Sequence, residues 1–293
     1  MFDFWAPSIS DKAWVKDLIF SAGREGCEYT FGNIFCWSEV YGSEITRYGD
    51  FFFSKSGSGI YCFPAGSGDL KTCLNEMRRD AEQRGNPFRM FGLTERDKER
   101  LEELFPGSFT LKEDRNLFDY IYRTSDLSEL AGKKYHAKRN HIAAFLKDTQ
   151  WIYEEIGEQN ISECLVMNEL WAIKNSNKDP KGIAREQIAL KRALKNFAEL
   201  EMKGALIRTE SGVVGFTVGE AASGNMFCTH FEKAFSDVRG AYPVINREFA
   251  ANTISGFTFV NRENDEGDEG LRKAKLSYHP DKLLIKYTAE YND

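Results

Sequence analysis

The spacing of apolar and polar positions predicts a chain in which helices alternate with short strands. A helical period predicts helices over SISDKAWVKDLIFSAG and TERDKERLEELF, each opened by a capping residue. Short apolar runs such as RNLFDYIYR predict strands between them. The pattern changes near residue 125, which predicts one domain over residues 1–125 and a second over 126–293. A helix at about 133–147 is predicted at the junction.

The second half is predicted to run strand, two helices, three strands, helix, strand, helix, strand. Antiparallel strands with interspersed helices are typical of the α+β class rather than of a doubly wound parallel sheet. We therefore expect mixed, mainly antiparallel sheets flanked by helices. The chain has no GxGxxG or phosphate loop and no GxSxG elbow, so its motifs do not indicate a nucleotide-binding protein or an α/β-hydrolase.

Composition narrows the function classes. The net charge of −6 argues against extended DNA binding, which needs a broad basic surface. The six cysteines form no CxxC pair, so we expect reduced thiols and no metal site. The apolar runs are shorter than the roughly 20 residues of a membrane helix, and the first residues do not resemble a signal peptide. A cytoplasmic protein without an integral membrane segment is expected.

Three stretches carry a resemblance to a known family: YHAKRNHIAAF, HFEKAFSDVRGAYPVINREFA and VNRENDEGDEGLRKAKLSYHP. They resemble a bacterial family related to the C-terminal domain of phosphatidylglycerol lysyltransferases, and the order of elements resembles that of GNAT acyltransferases. The resemblance implies two tandem GNAT-like domains. It also implies transfer of an acyl or aminoacyl group to an amine or hydroxyl. The donor would be aminoacyl-tRNA or acyl-CoA, with the tRNA acceptor end as a candidate partner.

The turn SDVRGAYP bears on the choice of donor. At this place GNAT enzymes usually hold the pyrophosphate of acyl-CoA on backbone N–H groups, which makes Arg239 and Gly240 the candidate cofactor-binding residues. Here the two residues are adjacent rather than spaced, and Pro243 removes a donor. We therefore expect weak coenzyme A binding and assign no cofactor. The alternative function is a catalytically inactive GNAT-like module that binds a small anion or a protein partner.

The predicted junction helix carries an arginine on its apolar face, because Tyr135, Arg139 and Ile142 share one side. A guanidinium in such a stripe is costly unless it is paired. Arg139 either meets a carboxylate at an interface or binds a substrate carboxylate or phosphate. Lys138, on the expected solvated side, and Asn140 are further candidates for substrate binding.

The stretch from Val260 to Pro280 turns acidic and then basic, an order that suits a helix macrodipole. Arg272, Lys275 and His279 would share a face if the helix continued that far, although Pro280 favours an earlier end. Several cations on one face repel one another unless the preceding acids or an anionic ligand neutralise their charge. We expect a small anionic substrate, with these three residues and Arg247 as binding candidates.

Asn261 and Glu263 stand at the end of a predicted central strand, GFTFVNRE, and are the catalytic candidates. Glu263 would serve as a general base if burial raised its pKa towards neutrality. The other interpretation is a salt bridge from Glu263 to Arg247 or Arg272, and His230 and Glu232 are weaker candidates. We predict that the cations Arg139, Arg272 and Lys275 line one cleft, with Asn261 and Glu263 in its wall.

Overall fold

The computed structural model describes residues 1–177 and 179–292, whose contacts define two compact units. The first contains residues 1–119, 264–272 and 283–293, and the second contains 120–263 and 273–282. Each unit therefore consists of more than one stretch of the chain. The predicted division near residue 125, by contrast, separates two continuous stretches. That division stays a prediction about domains.

Helices and strands alternate along the described residues. In chain order the α-helices are α1 (Lys12–Ser21), α2 (Phe31–Tyr41), α3 (Leu70–Gln83), α4 (Glu95–Leu104), α5 (Thr124–Glu129), α6 (His136–Asp148), α7 (Ile161–Asn175), α8 (Pro180–Lys195), α9 (Ala241–Glu248) and α10 (Glu269–Leu276). The strands are β1 (Glu44–Tyr48), β2 (Phe51–Lys55), β3 (Tyr61–Cys62), β4 (Ala65–Gly66), β5 (Arg89–Leu93), β6 (Phe109–Glu113), β7 (Asp119–Arg123), β8 (Trp151–Glu155), β9 (Lys203–Thr209), β10 (Gly212–Ala221), β11 (Met226–Ala234), β12 (Phe259–Asn261), β13 (Lys282–Leu284) and β14 (Tyr287–Tyr291).

The first unit is built on one sheet with the strand order β1-β2-β3-β5-β14-β6, and β4 pairs with β2. β3 and β5 are parallel, and the other pairs are antiparallel. The apolar side of α3, including Leu74 and Met77, packs in one core with Phe53 and Met90 of the sheet. The predicted mixture of helices and mainly antiparallel strands is therefore present.

The sheet of the second unit has the order β7-β12-β11-β10-β9-β8, with β13 outside β7 where the chain leaves the unit. β11 and β12 are parallel, whereas the neighbouring pairs are antiparallel. α9 packs on β9, β10 and β11, while α7 and α8 pack on each other. The three strands β9, β10 and β11 are the predicted meander, and the α+β class is confirmed.

Two local features of the second unit shape the site described below. The register of β10 against β11 shifts between Val218 and Gly219, so that His230 has no directly opposed residue. A Cβ at Gly219 would lie 2.0 Å from the carbonyl oxygen of Cys228, so only glycine allows the strands this close approach. A 3-10 turn, Lys133–Tyr135, precedes α6, and the assignment of this stretch to a domain junction stays a prediction.

None of the helices in residues 1–177 and 179–292 is both long and apolar enough to cross a bilayer.

Candidate active site where two strands diverge

Two parallel strands of the second unit separate after a short pairing. β11 and β12 are paired over only three residues, Met226–Cys228 against Phe259–Asn261, and β11 then continues to Ala234 while β12 ends. The separation leaves side chains of β11 facing those of the residues that follow β12. Their polar groups meet in two bridging pairs, which define the candidate active site.

The first bridging pair is an imidazole and a carboxylate. Nδ1 of His230 lies 2.8 Å from Oε1 of Glu263, and Nε2 lies 3.1 Å from Oε1 of Glu220. Burial by itself lowers the pKa of His230, but the neighbouring Cys228 and the hydrogen bonds to both carboxylates raise it well above its usual value. The imidazole is therefore protonated at neutral pH and holds two acidic side chains in place.

The Glu263 carboxylate lies at the edge of this buried group. Its side chain keeps 17% of its exposed area, compared with 1% for His230 and 2% for Glu220. A carboxylate that is oriented on one side and reached by solvent can accept a proton from a bound substrate. Glu263 is therefore the group in this cluster best placed for general base chemistry.

The backbone around Glu263 is held in an uncommon conformation. Its φ of 55° lies in the left-handed region, which non-glycine residues adopt at some cost. Its N–H donates to Oδ1 of Asn261 at 2.7 Å. Nζ of Lys275 donates to the carbonyl oxygens of Arg262 and Glu263 at 2.6 and 3.3 Å. The predicted residues Asn261, Glu263 and Lys275 are thus brought together, with Asn261 and Lys275 positioning Glu263.

The second bridging pair is a guanidinium and a carboxylate. Nη2 of Arg262 donates to Oε1 of Glu232 at 2.8 Å, and Nδ2 of Asn246 donates to Oε2 of Glu232 at 3.0 Å. The guanidinium carbon lies 5.5 and 4.9 Å from the ring centroids of Tyr122 and Tyr278. Burial alone would lower the pKa of Arg262, but Glu232 raises it, so the guanidinium is charged.

A second cation lies beside this pair. Nζ of Lys138 is 3.8 Å from the ring centroid of Tyr278. Burial and the nearby Arg262 lower the pKa of Lys138 to about 8, against the opposing effect of Glu232. Lys138 was predicted to bind substrate from the solvated side of its helix. The structure places its ammonium against an aromatic ring and close to Arg262.

The remaining binding candidates of the basic stretch have separate partners. Arg272 donates to both carboxylate oxygens of Asp265, at 2.9 and 2.8 Å, and to Oδ1 of Asn116. α10 ends at Leu276, and His279 has a φ of 50°, so the face predicted for a continued helix does not extend to His279. The early end follows from Pro280, which disfavours helical geometry in the residue before it.

The other predicted residues also have partners of their own. Nη1 of Arg139 donates to the carbonyl oxygens of Leu130 and Gly132, the latter at 2.7 Å. Nε of Arg247 donates to Glu248 at 2.8 Å, and Asn140 forms a 3.1 Å hydrogen bond with His136. The convergence of Arg139, Arg272 and Lys275 on one cleft therefore stays a prediction.

The turn SDVRGAYP, which bears on the choice of donor, is covered by helix α6. Gly240 precedes α9 with a φ of 90°, and a Cβ there would lie 2.4 Å from the carbonyl oxygen of His141 and 2.9 Å from Cβ of Phe145. α6 therefore packs directly against the N-terminus of α9. Arg239 is exposed beside this turn. The packing leaves little room for a pyrophosphate at the position that the resemblance implies.

The described residues contain two sets of side chains that could hold a metal ion, Cys27 with Glu28 and Asp119 in the first unit and one set at this site. Ligand atoms of Cys228, His230 and Glu263 all lie within 4.8 Å of one another. The 2.8 Å separation between His230 and Glu263 is, however, the length of a hydrogen bond, and a protonated imidazole does not bind metal.

Sequence reasoning missed Glu220, Arg262 and Asn246. Glu220 gives a signal, because it is a carboxylate within the apolar run VVGFTVGEA. Asn246 gives a weaker one, since it follows the apolar pair Val244 and Ile245 on a buried helix. Arg262 gives none, because its neighbours along the chain are as polar as itself.

The comparisons with known proteins identify the class to which this chain belongs. A family model described as phosphatidylglycerol lysyltransferase, C-terminal, matches residues 21–290. The chain belongs to this family, as its resemblance predicted.

Solved structures agree with this assignment. A conserved protein of unknown function from Bacteroides thetaiotaomicron is 36% identical, with both chains covered completely and a TM-score of 0.95. The C-terminal domain of a putative lysylphosphatidylglycerol synthetase from Agrobacterium fabrum is 12% identical, with 98% of this chain and 93% of that chain covered and a TM-score of 0.71. A tandem GNAT protein of the clavulanic acid biosynthesis pathway is 8% identical, with 100% and 99% covered and a TM-score of 0.52. The tandem GNAT-like fold is confirmed.

An uncharacterized protein of Mycoplasmoides gallisepticum is 26% identical over 178 residues, which are 58% of this chain. The match spans 54% of that protein's length.

Proposed function

We propose that the chain transfers an acyl or aminoacyl group to an amine or hydroxyl acceptor at the site where β11 and β12 diverge. The observation that carries the proposal is the pair of bridges across this divergence, His230 to Glu263 and Arg262 to Glu232. The first bridge orients the solvent-reached Glu263 carboxylate against His230, and the second pairs the neighbouring Arg262 with Glu232. Membership of the lysyltransferase-related family and the tandem GNAT-like fold support the same class of reaction.

The proposed step is direct transfer without a covalent enzyme intermediate. The acceptor nitrogen or oxygen attacks the carbonyl carbon of the donor, and Glu263 takes the proton that the acceptor loses. The new bond to the carbonyl carbon forms as the bond to the donor oxygen breaks. Glu263 then returns the proton to the leaving oxygen. His230 keeps its own proton throughout and holds the carboxylate in position, which lowers the cost of orienting the base.

The proposed donor is aminoacyl-tRNA rather than acyl-CoA. The packing of α6 against Gly240 supports this choice, because it covers the N-terminus of α9. The acceptor end of tRNA is then the partner, and a tRNA donor assigns the reaction to the cytoplasm. The second substrate is proposed to be small and anionic, since Lys138 and Arg262, which follows Asn261 and precedes Glu263 in the chain, are two cations that share the single carboxylate of Glu232.

Single-turnover transfer tests the proposal. Purified protein would be mixed with radiolabelled aminoacyl-tRNAs and a pool of candidate acceptors, and the labelled product would be separated from the donor. Glu263→Gln should lower the transfer rate by about 10²- to 10⁴-fold, the usual contribution of a general base. Gln retains the shape and a hydrogen bond to His230, so the fold should persist.

The matched control is Glu210→Gln, since Glu210 is exposed in the turn between β9 and β10. Its transfer rate should equal that of the wild type. Equal rates for Glu263→Gln and wild type would remove Glu263 from the mechanism. Saturable binding of tRNA or acceptor without transfer from any donor would favour the inactive binding module instead.

A further inference from the structure

Arg262 is a buried cation whose guanidinium lacks one of its hydrogen-bond partners among the described residues. Its side chain is only 11% exposed, and Nη2 is paired with Glu232. Within the described part of the chain, Nη1 is buried and has no hydrogen-bond partner. A buried donor left unpaired costs the free energy of removing it from water, and this cost is larger when the donor belongs to a charged group. Such donors are rare in native proteins, so this nitrogen points to a partner outside the chain.

Two further residues next to the Glu232 carboxylate have buried polar atoms without a hydrogen-bond partner in the described part of the chain. Oδ1 of Asn246, whose amide nitrogen bonds Glu232, is buried without a partner among the described residues. Thr217 of β10 is the register partner of Glu232 in β11. Its Oγ1 is also buried without a partner among the described residues. Among the described residues, three residues that bond or face the largely buried Glu232 therefore each have a buried polar atom without a partner. This grouping distinguishes the site from an isolated imperfection in packing.

The charges around Arg262 are also unbalanced. Lys138 and Arg262 lie against the same Tyr278 ring, and Glu232 is the carboxylate that acts on both. Burial and interactions with neighbouring groups raise the pKa of Tyr122 and Tyr278, so both phenols are neutral. When Lys138 is protonated, two cations therefore face one anion. Burial depresses the pKa of Lys138, and the repulsion from Arg262 that belongs to this excess depresses it further.

We propose that Nη1 of Arg262 and Nζ of Lys138 bind an oxyanion of the substrate, a phosphate or a carboxylate. An oxyanion has several acceptor lone pairs, so it can take hydrogen bonds from a guanidinium and an ammonium together. Its charge would balance the second cation. The inference rests on the proposed function in one respect, because it makes this group part of the acceptor or donor held beside Glu263.

The test observes Lys138 itself. Lysine labelled with ¹³C at Cε would be incorporated, the Lys138 signal assigned by its loss in Lys138→Gln, and its titration followed by NMR with inorganic phosphate or acetate. Binding should raise the pKa of Lys138 above its value of about 8 in a saturable manner. Lys138→Gln should weaken binding of the anion by about 10- to 100-fold, as expected for one charge-assisted hydrogen bond.

Lys147→Gln is the matched control, because Lys147 is an exposed lysine of the same helix. It should leave the affinity unchanged. Tighter binding of phosphate than of acetate would identify a phosphate group, and the reverse order a carboxylate. An unchanged Lys138 titration with both anions at millimolar concentrations would overturn the inference. Equal affinity in Lys138→Gln and wild type would do the same.

Arg262→Lys provides a second variant, and its fold would be checked by circular dichroism. It keeps the charge but loses the planar fork, so a folded variant should bind the anion more weakly. Anion binding at Lys138 in a protein without transferase activity would leave this inference standing and remove the proposed function. Transfer activity without anion binding would remove this inference alone.

Discussion

The two units each bury a cation, and the two cations differ in how completely they are paired. In the first unit, Lys286 is 3% exposed and donates to Asp119 at 2.8 Å, to Sγ of Cys27 at 3.6 Å and to Glu28. Three donors are all that an ammonium has. In the second unit, Arg262 meets Glu232 through Nη2, and its Nη1 has no partner in the described residues.

The difference separates a structural role from a binding role. Burial would lower the pKa of Lys286, but Asp119, Cys27 and Glu28 raise it well above its usual value, so the ammonium stays charged and its loss would leave acids unpaired. Arg262 has one carboxylate and spare hydrogen-bonding capacity. We infer that a fully paired buried cation mainly stabilises the fold, whereas an incompletely paired one is available to a ligand.

The largest effect is expected at Lys286, all three of whose donors are paired. Lys286→Met should lower the free energy of unfolding by about 3–5 kcal/mol, because it leaves the buried Asp119 and Glu28 without their cation. Chemical denaturation would measure the loss. Lys112→Met, which replaces an exposed lysine of β6, should change stability by no more than about 0.5 kcal/mol. A small loss for Lys286→Met would contradict the structural role.

A smaller loss of stability is expected at the incomplete cluster. Arg262→Met should cost about 1–3 kcal/mol, because Glu232 loses one partner but keeps its hydrogen bond from Asn246. Denaturation under the same conditions as for Lys286→Met allows a direct comparison. If Arg262→Met lost as much stability as Lys286→Met or more, the proposed difference between the two cations would be wrong.

The sequence predicted the α+β class and most of the order of elements in the second half of the chain, because both follow from local periodicity. The single closing strand that it predicted is divided into β13 and β14, which belong to different sheets. The sequence also brought together Asn261, Glu263 and Lys275, which are close along the chain. The bridges from Arg262 to Glu232 and from His230 to Glu220 could not be predicted. They depend on the divergence of β11 from β12 and on the register shift in β10, neither of which has a local signal.

The predicted role of Arg139 shows the same limit. Its position on an apolar face correctly required a partner, but the expected partners were a carboxylate or a substrate. Leu130 adopts the left-handed conformation at the end of α5, and its carbonyl oxygen accepts from Arg139 instead. A guanidinium can be paired by backbone carbonyls as well as by acids, and sequence does not distinguish them.

A pH-dependent effect is expected at His230. Its pKa in the folded protein is raised above the usual value, so its contribution to stability is complete below the unfolded pKa of about 6.5 and is lost as the pH rises through the folded value. His230→Gln should therefore destabilise the protein more at pH 6 than at pH 9. Denaturation at both pH values measures this difference. His141→Gln, at an exposed position of α6, should show no such change.

The smallest expected signal concerns coenzyme A. Because α6 covers the N-terminus of α9 at Gly240, isothermal titration with acetyl-CoA should show no saturable heat at micromolar concentrations. This outcome would agree with a turn that does not hold the pyrophosphate of acyl-CoA. A dissociation constant in the low micromolar range would instead show that the turn at Arg239 and Gly240 binds the pyrophosphate.

A crystal structure with an amide-linked aminoacyl-adenosine would test the central claim most directly, because this analogue of the tRNA acceptor end cannot be cleaved by transfer. The account predicts that its aminoacyl group lies between the diverging strands, with the carbonyl carbon close enough for attack by an acceptor hydrogen-bonded to Glu263, and with the cluster around Arg262 and Lys138 beside it. Binding of the analogue elsewhere on the chain, with the residues between β11 and β12 unchanged, would contradict the assignment of this site.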